Sequence, residues 1–454
     1  MRITVCGAGY AGLVTAACFA EIGHDVTCVD IDRNRIAVLQ SGSSPIFEPG
    51  LVELIARNSS RLRFVSDYGE VPVGAAASFI VVGTPRFGDG RVDLAQVMEA
   101  AEQLAPRLSE GSAVVVKSTV PVGTTRLVAD RVEAARPDIT VHVGCNPEFL
   151  REGVAVDDFL APDRVVIGTA SREAEAILRD LYAPQIEQGI TFFFTTIESA
   201  ELIKYASNAF LATKLSFINE IADLCEASGA NVDDVARGIG LDSRIGKAYL
   251  RAGPGFGGAC LPKDTQALWH TSRDFGTGSR IVGAALDVNA DRIHRMVDKV
   301  ADALGGSVRG RRVAVLGITF KADTDDIRES PAVEIVRQLV AAGATVRLFD
   351  PHGLERAKAV LPPSVEFAAD EYDAIGGADC LVIATEWNQF RGLDLGEVAE
   401  RLGGDVVVDL RNLYEPDVVR ASGLRYVSIG TWADSHAEEP LRVHPGVDPS
   451  PRGG

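Results

Sequence analysis

The early part of the chain alternates short apolar runs with stretches of helical spacing. "RITVCGAG" is an apolar run ending in glycines, "AGLVTAACFAEIG" places apolar residues at helical intervals and stops at Gly23, and "DVTCVDID" is a second run. The runs "SFIVVGTP", "AVVVKSTVP", "TVHVGCNPE" and "DRVVIGT" continue the pattern. Strands that are apolar throughout have both faces covered, and helices between them imply a parallel sheet. The pattern predicts a doubly wound α/β domain over residues 1–198.

The middle changes character. "TTIESAELIKYASNAFLATKLSFINEIADLCEASG" has no strand pattern, and Leu202, Ile203, Ala206, Phe210, Leu211, Leu215, Ile218 and Leu224 recur at helical spacing. Thr195 and Glu198 fit a capping box at its start and Gly229 fits its stop. Residues 199–305 are therefore expected to form a long connecting helix with helical neighbours, suited to dimerisation. Alternation resumes in "GRRVAVLGITF", "TVRLFDP", "DCLVIATEW", "DVVVDLRNLY" and "LRYVSIG", which predicts a second doubly wound domain over 306–435. The tail 436–454 is rich in proline, glycine and charge and is expected to be disordered.

Composition narrows the class without changing this picture. The 454 residues are 46% hydrophobic and 24% charged with a net charge of −18, which suits a soluble multidomain protein and argues against a nucleic-acid partner. Seven cysteines, widely spaced and without a CxxC pair, argue against a disulfide framework or a zinc site and for a reducing cytoplasm. The first twenty residues superficially resemble a signal peptide, but glycines and Tyr10 interrupt the run and a strand pattern follows. No other uncharged run is long enough for a membrane span.

"GAGYAG" places Gly7, Gly9 and Gly12 in the GxGxxG spacing after a strand and at a helix start, and a second strand ends at Asp30. This is the context of a dinucleotide fingerprint: a tight turn, close approach of a pyrophosphate, and close helix–sheet packing. Asp30 would accept from a ribose 2′-hydroxyl and repel a 2′-phosphate, which favours NAD over NADP, although Arg35 pulls the other way. The second domain has only Gly317 in the equivalent turn, followed by Asp350. Either it binds nothing or it holds a nucleotide differently, with Lys321 as a contact. On the long helix Glu201, Lys204 and Asn208 share one face. Thr119 ends a strand at the edge where such sheets bind ligands. Glu148 and Glu152 follow another strand. In "GFGGACLPKD", glycines around Cys260 suggest a backbone lying close to a ligand, and Lys263 and Asp264 make a deep apolar site unsuitable. These residues by themselves leave a nucleophile and a buried thiol both open.

Seven ordered segments, "GAGYAG", "VGTPRFGDGRVDL", "STVPVGT", "NPEFLREG", "ELIKYASNAFLATKLSFINE", "GPGFGGACLPKD" and "FKADTDDIRESP", together resemble the UDP-glucose 6-dehydrogenase family over nearly the whole chain. The resemblance implies two Rossmann-like domains joined by a long central helix and a helical dimerisation region. It also implies a four-electron, NAD-dependent oxidation of a primary alcohol to a carboxylate through an aldehyde, a thiohemiacetal and a thioester on Cys260. By the same resemblance Lys204 and Asn208 stabilise the oxyanion, Asp264 and Thr119 position a water, and Glu148 is an acid–base group. NAD contacts fall on Gly7, Gly9, Ala11, Gly12, Asp30, Arg35, Thr84, Thr119, Glu152, Lys263 and Arg328. Sugar-nucleotide contacts fall on Glu148, Phe149, Leu150, Arg151 and Glu152, on Lys204 and Asn208, on Tyr249, Leu250, Arg251, Ala252 and Gly253, and on Gly257 and Lys321. Arg244 matches an arginine that reaches the substrate from a partner subunit, which implies a homodimer or higher homo-oligomer.

Two departures stand out. Ala11 replaces a frequent valine, and Asp323 replaces a common glycine, adding negative charge near Lys321. The competing readings are the same chemistry on GDP-mannose or a UDP-N-acetylhexosamine, a two-electron dehydrogenase with a structural Cys260, and a non-catalytic NAD-dependent regulator. The N-acetylhexosamine enzymes usually carry a histidine before the cysteine and lack the Lys–Asp pair found here.

Overall fold

The computed structural model describes residues 1–431, so the expected tail and the last positions of the second domain lie outside the described residues. The chain forms two compact units, one of residues 1–209 and 263–282, the other of 210–262 and 283 onward. The helical stretch 199–305 is divided between them.

The first unit is built on eight strands: β1 (Arg2–Cys6), β2 (Asp25–Val29), β3 (Leu62–Val65), β4 (Ala77–Ile80), β5 (Ala113–Val116), β6 (His142–Cys145), β7 (Arg164–Thr169) and β8 (Thr191–Thr195). Their order is β3-β2-β1-β4-β5-β6-β7-β8, so the winding reverses between β1 and β4, where doubly wound sheets bind ligands. Every neighbouring pair is parallel except β6 and β7, which are antiparallel, so the sheet is not wholly parallel as expected. The β6–β7 connection carries only the six-residue helix Ala155–Leu160. The apolar runs read from the sequence do not include β3, which Arg63 interrupts, or the half-exposed edge strand β8, whose core is Phe192–Phe194. Phe19 anchors one core face, with its ring 5.0 Å from both Phe79 and Phe159.

The second unit repeats the plan with β9 (Arg312–Leu316), β10 (Thr345–Phe349), β11 (Glu366–Phe367), β12 (Cys380–Ile383), β13 (Val406–Asp409) and β14 (Arg425–Ser428), ordered β11-β10-β9-β12-β13-β14 and all parallel. Val313, Val315, Leu348, Val382 and Val408 are fully buried, as unbroken apolar strands require.

The long helix spans Ile197–Ser228. Its cap is Thr196 rather than Thr195: the Ser199 amide donates to Thr196 Oγ1 at 3.2 Å, while Thr195 ends β8. Glu198 does not close a capping box but pairs with Arg126. The far end stops as expected, with Gly229 at φ 79° and the Ala230 amide donating to the Cys225 carbonyl at 3.1 Å. Among the described residues no helix is long and apolar enough to cross a membrane.

Candidate active site

The strand–turn–helix at the start of the chain has the close packing its glycines suggested. A Cβ on Gly12 would lie 2.1 Å from the Gly7 carbonyl oxygen, and one on Gly7, at φ 108°, would lie 2.4 Å from the Val81 carbonyl oxygen. Nothing lies within 4 Å of a Cβ placed on Gly9, so the N-terminus of the helix Tyr10–Glu21, which carries Ala11 in its first turn, faces open space. That is the cradle a pyrophosphate needs. Asp30 is buried at the end of β2, where its Oδ2 accepts from the Ala8 amide at 2.7 Å and pairs with Arg35 Nη1 at 2.9 Å. Arg35 is thereby held by a carboxylate rather than left for a 2′-phosphate, and the residues present fit NAD.

Four elements of the first unit bring charged groups together. After β6 the turn of residues 146–150 carries Glu148, whose Oε2 accepts from the Leu150 amide at 2.6 Å. The Glu148 Oε1 lies 3.2 Å from Lys204 Nζ on the long helix, with both side chains almost fully buried. Lys204 also stands 5.3 Å from the centre of the Phe149 ring, and Arg164 lies 4.0 Å from the same ring. One turn along, Asn208 Nδ2 donates to Asp264 Oδ2 at 2.6 Å. Asp264, 1% exposed in the first turn of the helix Leu261–Asp274, receives Lys263 Nζ on its other oxygen at 2.6 Å. Lys263 Nζ in turn lies 3.4 Å from Thr84 Oγ1. Thr119 is half-buried just past the end of β5.

Glu201 does not act with Lys204 and Asn208. Its carboxylate accepts from the Gly123 and Thr125 amides, each at 2.7 Å, and so caps the helix Thr124–Ala135 and holds the loop that follows Thr119. Burial pushes its carboxyl above the usual range. Leu150 is part-buried. Arg151 is exposed and makes a two-pronged pair with Asp158, and Glu152 is half-buried beside it.

In the second unit the segment "YLRAGPGFGG" is held from three sides. The Gly253 amide donates to Asn219 Oδ1 at 2.9 Å and the Phe256 amide to Asn289 Oδ1 at 2.7 Å. The Gly258 amide donates to the Arg328 carbonyl at 3.0 Å. A Cβ on Gly257 would lie 2.3 Å from the Glu329 carbonyl oxygen. Tyr249 has φ 62°, an unusual conformation for a bulky residue, of the kind that surrounding structure sustains at ligand sites. Leu250 and Ala252 are buried, and Arg251 donates to the Arg411 carbonyl at 2.7 Å. Lys321 lies 5.8 Å from the Phe320 ring centre, and Arg328 chelates Asp326. Asp323 adopts φ 61°, which accounts for glycine being common there and for an aspartate being tolerated. Arg244 is exposed and held by Asp242 at 2.6 Å.

Cys260 ends this glycine segment and directly precedes the helix Leu261–Asp274. Six of the seven cysteines are buried, and Cys260 alone is not. Burial pushes the Cys6 and Cys380 thiols up to about 12, so those sulfurs are inert packing groups. Cys260 instead has partial access, with the helix amides giving a positive field beside the sulfur.

Sequence reasoning missed two buried groups. Lys117, at the end of β5, directs its Nζ to Asn146 Oδ1 at 3.1 Å, and Asn146 also receives the Tyr182 hydroxyl at 2.7 Å. Burial lowers the Lys117 ammonium to about 8 despite the nearby Glu148 charge. The Tyr205 hydroxyl, beside Lys204 in the chain, is buried with no hydrogen-bond partner among the described residues, and burial drives its phenol well above the normal range. A lysine inside an apolar strand run is the only sequence signal for the first, and nothing marks the second.

Three domain models of the UDP-glucose/GDP-mannose dehydrogenase family match the chain: the NAD-binding domain over residues 1–186, the central domain over 198–291 and the UDP-binding domain over 314–416. A UDP-glucose 6-dehydrogenase of Rhizobium meliloti is 50% identical over 95% of this chain and 99% of its own length. The solved structure of a UDP-glucose dehydrogenase from Pyrobaculum islandicum is 39% identical, with a TM-score of 0.86 over 95% of this chain and 98% of that one. A UDP-D-ManNAc dehydrogenase structure from Pyrococcus horikoshii is 27% identical with a TM-score of 0.84, covering 95% and 99% of the two chains.

Proposed function

Because the chain belongs to the UDP-glucose/GDP-mannose dehydrogenase family, we propose that it catalyses the NAD-dependent, four-electron oxidation of UDP-glucose to UDP-glucuronate. The observation that carries the covalent reading is the exposure contrast among the thiols: Cys260 alone is outside the core, four residues before a buried aspartate that is bonded to Asn208 and Lys263.

When bound, NAD accepts one hydride in each of the two oxidations, and the first leaves an aldehyde. The Cys260 thiolate adds to that carbonyl carbon, and the oxygen becomes the alkoxide of a thiohemiacetal. Its oxidation gives a thioester, and water then releases the carboxylate and returns the thiol. A sulfur is needed because a bare aldehyde has no alkoxide to drive the second oxidation. The Lys204 ammonium and the Asn208 amide stabilise the oxygen as charge develops. Asp264, already hydrogen-bonded to Asn208, and Thr119 position the hydrolytic water, and Glu148 exchanges protons with Lys204 and that water.

We also propose a homodimer. Phe210, Phe217 and Leu224 repeat every seven residues on the long helix and are 65%, 48% and 60% exposed, an apolar stripe suited to a second copy. Arg244, exposed on its loop, would serve the neighbour's substrate, and a cytoplasmic location suits seven thiols without a disulfide. A panel of UDP-glucose, GDP-mannose and two UDP-N-acetylhexosamines, read by NADH formation, tests the substrate. UDP-glucose is expected to dominate; turnover of GDP-mannose without UDP-glucose would overturn the assignment.

A further inference from the structure

A parallel sheet covered on both faces is normally apolar on both. One corner of the first sheet is not. Thr4 on β1 lies in register with Thr27 on β2, and Thr27 with Arg63 on β3. Side chains alternate along strands, so Arg2, two residues before Thr4, and Arg61, two before Arg63, share this face. Thr4 and Thr27 are 2% and 9% exposed, and neither hydroxyl has a hydrogen-bond partner among the described residues.

Both threonines line a cavity of about 230 Å³. Arg2, Arg61 and Arg63 stand around it, with Ser59, Ser60 and Asp25. Among the described residues Arg61 has no carboxylate within ion-pair distance. The Arg2 guanidinium reaches only the Val73 carbonyl, at 3.4 Å, and Arg63 meets Glu70 loosely at 3.7 Å. Three guanidiniums so weakly matched, in a chain of net charge −18, form a local positive field over two unmatched hydroxyl donors.

We propose that this corner binds a small phosphate ester bearing hydroxyl groups, such as a sugar phosphate. Guanidiniums hold a phosphate through paired N–H donors, the threonine hydroxyls complete its shell, and Asp25 and the serines accept or donate to the ligand's own hydroxyls. The volume lies below the roughly 300–1,000 Å³ of pockets that take larger organic ligands and suits a phosphate with a small organic group. The place also separates it from the NAD cradle. The cavity opens at the N-terminal ends of β1 and β2, whereas Gly7 follows the C-terminal end of β1, roughly 16 Å along the strand.

The test is calorimetric titration of the full chain with orthophosphate and with glucose 6-phosphate, in saturating NAD and UDP so that the cofactor and substrate subsites are filled. Saturable binding of the hexose phosphate, tighter than orthophosphate, is expected. Arg2→Gln with Arg61→Gln should weaken it at least about tenfold, and Thr27→Val by a few-fold, while UDP-glucose turnover without the hexose phosphate stays at the wild-type rate. Absence of binding with NAD and UDP present, unchanged affinity in the arginine variant, or equal affinity for the two probes would overturn the proposal.

Discussion

Replacing Lys117 by methionine should separate stability from activity. The ammonium is buried at the end of β5 with Asn146 as its hydrogen-bond partner, and no carboxylate among the described residues lies within ion-pair distance. Burial lowers it from 10.5 to about 8. At ~1.4 kcal/mol per tenfold, that gap means the charged form costs the folded state about 3 kcal/mol at pH 7. The sign follows from proton binding. Between about 8 and 10.5 the unfolded chain holds a proton that the folded one has released, so wild-type stability rises with pH across this window. Methionine removes the charge and keeps the length. Allowing ~1 kcal/mol for the lost bond to Asn146, Lys117→Met should be about 2 kcal/mol more stable at pH 7. Its advantage should fall mainly above pH 8, vanish before pH 10.5 and leave the wild type slightly the more stable there, once the charge cost is gone and only the lost bond to Asn146 remains. Thermal midpoints of both proteins across pH 7 to 10.5 provide the assay. Activity should move the other way, because Asn146 begins the turn that presents Glu148: kcat is expected to fall about tenfold with KM for NAD unchanged. A stability difference that does not change with pH, or a variant that is less stable at pH 7, would refute the reasoning.

Other outcomes follow from named contacts. Gly257→Ala would drive a Cβ to 2.3 Å from the Glu329 carbonyl oxygen, so KM for UDP-glucose should rise at least about tenfold in initial-rate assays. Asp30→Ser removes the partner of Arg35 and should lower the NAD-to-NADP ratio of kcat/KM by at least about tenfold. Phe217→Glu places a charge in the apolar stripe of the long helix and should halve the solution mass measured by light scattering; an unchanged mass argues against that face as the dimer contact.

The dinucleotide turn was legible because its chemistry is local: three glycines and one acid within a single strand–helix–strand. The glycine segment before Cys260 was legible as a place of close approach for the same reason. The thiol's accessibility was not, since it depends on which distant segments pack around the end of the glycine segment. Long-range pairings escaped entirely. Glu201 shares a helix face with Lys204, yet its carboxylate is spent on the amides of Gly123 and Thr125, distant in sequence. Strand β3 was missed because Arg63 breaks its apolar run, whereas the three consecutive phenylalanines of β8 were legible and only its half-exposed edge position was not. The oddity of Asp323 resolved once its backbone was seen in the left-handed region, a property of φ that composition does not carry.

The central claim is that the Cys260 sulfur carries the second oxidation. NADH released per UDP-glucose consumed tests it most directly, measured to completion for the wild type and for Cys260→Ala. The account expects two NADH per sugar from the wild type, and from Cys260→Ala at most one, with aldehyde accumulating. Two NADH per sugar from Cys260→Ala would contradict it.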